Sequence, residues 1–144
     1  MRRIGELRFS QDHLWTRLEE NGRAAVGISD FLQERLGEIL SIQLPEEGEE
    51  LSKDEIFGII EAQNGREELV APVSGEIIEV NDELTEVPEL VNEEPYDDGW
   101  LVRLEIVPGA EFADLLSPEE YEDYLNEEEG VDVEEIEEED EDED

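Results

Sequence analysis

Reactive side chains are scarce in this chain, and that scarcity limits its chemistry. The 144 residues include one histidine, His13, one lysine, Lys53, and no cysteine. Without a thiol there is no disulfide, thiolate metal site or cysteine nucleophile, and the redox compartment stays open. No serine can be given a triad, because its base would have to be His13. That histidine stands beside Trp15 and reads as a packed or hydrogen-bonded residue rather than a base or ligand. Acidic pairs such as Asp97-Asp98 lack the spacing and turn glycine of a calcium loop, so no specific metal site is expected. What remains is the polar run Ala62-Gln63-Asn64-Gly65-Arg66-Glu67 between the apolar runs 56–61 and 68–73. Asn-Gly is a strong hairpin signal, and a type I′ turn on Asn64-Gly65 would push a polar tip into solvent. That tip has no amine to acylate. The carboxamide of Asn64 is not nucleophilic, and Arg66 is permanently protonated.

The elements that must hold this tip are mostly strands. Ala24, Val26 and Ile28 alternate with Arg23, Ala25 and Gly27, and Leu40, Ile42 and Leu44 repeat the pattern until Pro45. Further strands are expected at 56–61, 68–73, 75–80 and 100–107, lengths suited to a sandwich or barrel. Asp30 with Gln33 resembles a capping box opening a short helix through Leu36, which Gly37 ends. Ser117-Pro118-Glu119-Glu120 starts a second helix running to about Leu125, with Tyr121, Tyr124 and Leu125 on its apolar side. Trp15, Trp100 and Phe9 read as packing residues.

Charge sets the choice of partner. Aspartate and glutamate number 47 against 9 basic residues, a formal net charge of −38. Such a surface repels phosphates, so nucleic acid and anionic membranes are excluded as partners and basic proteins are favoured. Residues 127–144 carry 14 of the acids and too few apolar groups to offset the entropy of ordering. They are expected to form a disordered acidic tail behind one domain at 1–126. No apolar run is long enough to span a bilayer, and none follows Met1-Arg2-Arg3 as in a secretory signal. The expectation is a cytoplasmic monomer.

Several blocks in order carry a family resemblance. Ala71-Pro72-Val73-Ser74-Gly75-Glu76-Ile77-Ile78-Glu79-Val80-Asn81 follows the hairpin. Upstream stand Asp12-His13-Leu14-Trp15, Gly27-Ile28-Ser29-Asp30-Phe31, Leu36-Gly37-Glu38-Ile39 and Leu44-Pro45-Glu46-Glu47-Gly48. Downstream come Pro88 to Tyr96 and Gly99-Trp100-Leu101. Over about residues 7–126 this series resembles the glycine cleavage system H protein family. The resemblance implies a mainly β barrel-sandwich hybrid, lipoyl-domain-like, with short helices and a C-terminal helix. It also implies a carrier rather than an enzyme, with lipoate joined to a lysine on the hairpin tip. That lysine sits seven residues before the alanine of the Ala-Pro-Val-Ser-Gly block, which here is Asn64. Glu61, Ala62, Gln63 and Gly65 fill the neighbouring places.

These residues support a non-catalytic module with no lipoyl cofactor, binding a protein partner such as a component of the glycine cleavage or lipoate machinery. Two alternatives stand beside it. One is a genuine lipoyl and aminomethyl carrier of glycine cleavage, for which Lys53 is the lone amine. The other is an acidic interaction or solubility protein acting through its tail.

Overall fold

The computed structural model describes residues 7–19, 22–106 and 114–129. The strands are β1 (Arg8–Phe9), β2 (Leu14–Glu19), β3 (Arg23–Ile28), β4 (Ile39–Gln43), β5 (Glu50–Leu51), β6 (Ile56–Ala62), β7 (Gly65–Val70), β8 (Gly75–Val80) and β9 (Val102–Glu105). The helices are α1 (Asp30–Leu36), α2 (Glu83–Glu86), α3 (Leu90–Glu93) and α4 (Pro118–Tyr124), the last continued by a π-helical turn at Leu125–Glu129. All strand pairs are antiparallel. One sheet runs β1-β2-β3-β9-β8-β5 and the other β4-β6-β7.

The expected strands form, with shifts that have local causes. β7 occupies 65–70 rather than 68–73, because the hairpin turn is tight and Ala71-Pro72 ends the ladder early. β4 bulges between Ile39 and Ser41. The bulge leaves Leu40 57% exposed, while Ile39 takes its place inside.

The alternation expected along β3 is present, and it divides the strand between two buried clusters. Ala24, Val26 and Ile28 belong to the main core, and Ala25 belongs to a second, aromatic cluster with Trp15, Phe9 and Tyr121. β3 is therefore covered on both faces. Gly27 lies under the Trp15 indole, where a Cβ would sit 2.5 Å from the ring. Trp15 is fully buried and donates from Nε1 to the Pro95 carbonyl at 2.8 Å. Phe9 stacks on Tyr121 with centroids 4.4 Å apart. Trp100 packs at the border of this cluster with Arg103 over its ring at 4.2 Å.

Helix caps follow local chemistry, with one correction. α1 is capped by Ser29, whose Oγ accepts from the Leu32 amide, and not by Asp30. Asp30 is the first helical residue, and its carboxylate accepts from Gln33 Nε2 at 2.9 Å. Gly37 stops the helix at φ +78°, a conformation that favours glycine. α4 opens with a complete capping box between Ser117 and Glu120. Its helical course reaches Glu129, within the expected tail of 127–144, whose residues 130–144 lie outside the described residues.

Candidate functional site

The site is the β6–β7 hairpin and the end of α1 against which it lies. Ala62 pairs with Gly65, so the two turn residues are Gln63 and Asn64 rather than Asn64 and Gly65. The turn is also not type I′. That type needs positive φ at both central positions, whereas His13 and Asp54 are the only non-glycine residues of positive φ among those described. Gly65 absorbs the unusual backbone instead, at φ +147°.

The tip is polar and exposed, as the sequence suggests, but it is tied to the end of α1. Asn64 donates from its backbone N–H to the Leu36 carbonyl at 2.9 Å, and Gln63 donates to the Glu38 carbonyl at 2.8 Å. Asn64 Nδ2 also donates to the Arg35 carbonyl at 3.1 Å. The last carbonyls of a helix have no partners within it, and the hairpin supplies two of them here. Asn64 thus works as a C-terminal cap delivered from another element.

A second asparagine, with no local signal of its own in the sequence, fixes the surface that receives the tip. Asn92 on α3 donates from Nδ2 to the Gly37 carbonyl and to Gln33 Oε1, both at 2.9 Å. Its Oδ1 accepts from the Ile39 amide, also at 2.9 Å. One side chain therefore joins α1, the Gly37 turn and the start of β4. Asn92 lies inside the Pro88–Tyr96 block, but its three partners are far away in sequence.

The other end of α1 is held by a buried polar chain. Tyr121 Oη lies 2.8 Å from both His13 Nδ1 and Ser29 Oγ. His13 is 4% exposed and packs against Phe31 with centroids 4.9 Å apart. The sole histidine is thus hydrogen-bonded and packed, as its surroundings in the sequence implied.

Charge around the tip is uneven. Glu61 and Arg66 face each other across the ladder. Glu67 lies on the inward side with Leu69, and burial raises its carboxyl above the ordinary glutamate range. Arg35 opposes that shift, while Asp12 and Glu68 add to it. Lys53 lies at the far end of the hairpin, in the turn before β6. Seven extended residues separate that end from the tip, about 20 Å. Lys53 borders a cavity of about 330 Å³ that Asp12, Asp54, Asp114, Phe9 and Pro72 also line. Among the described residues no group of three or more histidine or acidic side chains is placed to hold a metal, and Asp97-Asp98 forms none. No helix there is long and apolar enough to cross a membrane.

Comparison with known proteins agrees with this architecture. A glycine cleavage system H protein of Carboxydothermus hydrogenoformans is 46% identical over 123 residues, covering 85% of this chain and 94% of the relative. The H protein of Anoxybacillus flavithermus is 45% identical over 121 residues, covering 84% and 94%. The crystal structure of the H protein from Mycobacterium marinum superposes with a TM-score of 0.76 at 31% identity, covering 88% of this chain and 98% of that one. The model of the glycine cleavage H-protein family matches residues 7–128, and the chain belongs to that family.

Proposed function

We propose that this protein is a non-catalytic H-protein-type docking module, which presents the hairpin face to protein partners without carrying an acyl group on its tip. Proteins of this family are carriers, not enzymes. The observation that supports the reading is the chemistry of Asn64. It stands at the hairpin tip, in the place where the family resemblance puts the lipoyl-bearing lysine. Its carboxamide cannot form the amide link, and its Nδ2 is engaged with the Arg35 carbonyl. The partners that fit are components of the glycine cleavage or lipoate machinery.

The relatives weigh toward a second reading. They are named as glycine cleavage system H proteins at 40–46% identity, which favours a genuine lipoyl and aminomethyl carrier. In this chain that function requires another attachment point, and Lys53 is the one lysine available. Its place at the opposite end of β6 makes it a different pivot from the tip.

Intact mass spectrometry with peptide mapping, on protein purified from its own cells, separates the two. An unmodified mass supports the docking module. A lipoyl increment overturns it, and its location at Lys53 would identify the carrier's attachment point.

A further inference from the structure

The three-stranded sheet ends on β7, and the register shows what that edge exposes. Ala62–Gly65, Ile60–Glu67 and Gly58–Leu69 alternate with Glu61–Arg66 and Ile59–Glu68 along the β6–β7 ladder. In a hairpin closed by two residues, the pair flanking the turn exchanges both hydrogen bonds, and such pairs alternate with non-bonded ones. Gly65, Glu67 and Leu69 therefore turn their backbone groups toward β6. Arg66 and Glu68 turn theirs away, to the open edge. No turn, loop or cap hydrogen bond among the described residues ends on the backbone of either. An open concavity of about 470 Å³ is lined by Arg66, Glu67, Glu68 and Val70.

We propose that the free edge of β7 is a strand-addition site for an extended segment of a partner protein that carries two adjacent basic residues, with an apolar residue two positions along. An incoming strand would satisfy the outward N–H and C=O groups of Arg66 and Glu68, the usual source of affinity in this mode of recognition. Side chains then set the partner's chemistry. Glu68 is exposed on the outer face of the sheet, with Ile56, which is 50% exposed, and its ladder partner Val70 on the same side. Glu67 lies on the other face. A basic residue opposite each glutamate and an apolar one near Val70 complement this edge, in a chain of net charge −38. A second copy of the same edge fits less well: the register that sets Arg66 against Glu68 also sets Glu67 against Glu67, between chains that each carry a net charge of −38. The opposite edge, β4, is bulged at Leu40 and is a poorer template.

This site deepens the docking reading and rests on it. The test addresses the edge alone, whereas the mass measurement addresses attachment. Isotope-labelled full-length protein is titrated with a capped Val-Thr-Lys-Lys-Thr peptide, its Val-Thr-Glu-Glu-Thr counterpart, and the basic peptide with its backbone N-methylated. The basic peptide is expected to shift the Arg66 and Glu68 amides and slow their hydrogen exchange by about tenfold or more, with the other two far weaker. Glu68→Pro removes an outward N–H without touching the β6 ladder and should abolish this binding while the remaining amide spectrum is preserved. Glu68→Lys should weaken it through charge alone, and serves if the proline variant misfolds. Equal binding by the N-methylated peptide overturns the proposal. So do shifts scattered over exposed acids without protection of β7, unchanged binding by both variants, or protection of the same amides by self-association.

Discussion

Asn64 Nδ2 lies 3.1 Å from the Arg35 carbonyl, so a hairpin residue ends a helix to which it does not belong. With the Asn64 and Gln63 amides bonded to Leu36 and Glu38, the tip is a joint between the two elements.

Asn64→Ala removes only the side-chain part of that joint. The site is exposed, so the expected loss is about 0.5–1 kcal/mol in denaturant unfolding, with faster amide exchange at Gln63 and Asn64. Asn64→Lys removes the same bond and supplies an amine at the tip. Incubated with a lipoate-attaching enzyme, that variant is expected to gain a lipoyl mass where the parent gains none. Failure of the variant to be modified would show that an amine at position 64 does not suffice for attachment.

Tyr121 Oη joins His13 Nδ1 and Ser29 Oγ in the interior, and Ser29 also caps α1. Tyr121→Phe keeps the stacking on Phe9 but withdraws a hydroxyl from two buried groups. A loss of about 1–3 kcal/mol is expected in urea unfolding, against a near-neutral result for the half-buried Tyr124→Phe.

Much of this arrangement was legible in the sequence, because it rests on local signals. Ser117-Pro118 and Gly37 place helix ends through backbone preferences that need no tertiary partner. The strands around the hairpin follow from alternation and from Pro72. What escaped depends on contacts between distant segments. Local preference alone points to a type I′ turn on Asn64-Gly65, whereas the hydrogen bonds to α1 accompany a turn on Gln63 and Asn64. Asn92 looked like one polar residue in a loop until the fold brought Gln33, Gly37 and Ile39 around it. Alternation along β3 distinguishes two faces, and nothing local shows that Trp15 covers the second.

Gly27 tests that last point. A Cβ there would meet the Trp15 ring at 2.5 Å, and the indole is fixed by its bond to the Pro95 carbonyl. Gly27→Ala is expected to cost about 1–3 kcal/mol through overpacking and to change Trp15 fluorescence.

Asn92 makes three hydrogen bonds that no aliphatic side chain can replace. Asn92→Leu leaves the Gly37 carbonyl and the Ile39 amide without it, at a cost of about 2–4 kcal/mol. Because α1 receives the hairpin tip, amide exchange at Gln63 and Asn64 should also accelerate, although neither touches Asn92 in the bonds described. If stability falls but the tip amides exchange as before, the placement of the tip does not depend on Asn92.

Glu67 gives the hairpin a pH dependence whose sign is opposite to that of a salt-bridged acid. Burial raises its carboxyl above the ordinary range, with Asp12 and Glu68 adding to the effect and Arg35 opposing it. The folded chain therefore binds this proton more tightly than the unfolded chain. Between the ordinary glutamate range and the raised value, stability contributed by Glu67 falls as pH rises. Glu67→Gln has no proton to lose. Its stability should exceed the parent's near neutral pH and converge with it in acid, where Glu67 is protonated in both states. Urea midpoints of the two proteins at a series of pH values measure this difference, and a gap that widens toward acid would reverse the assignment.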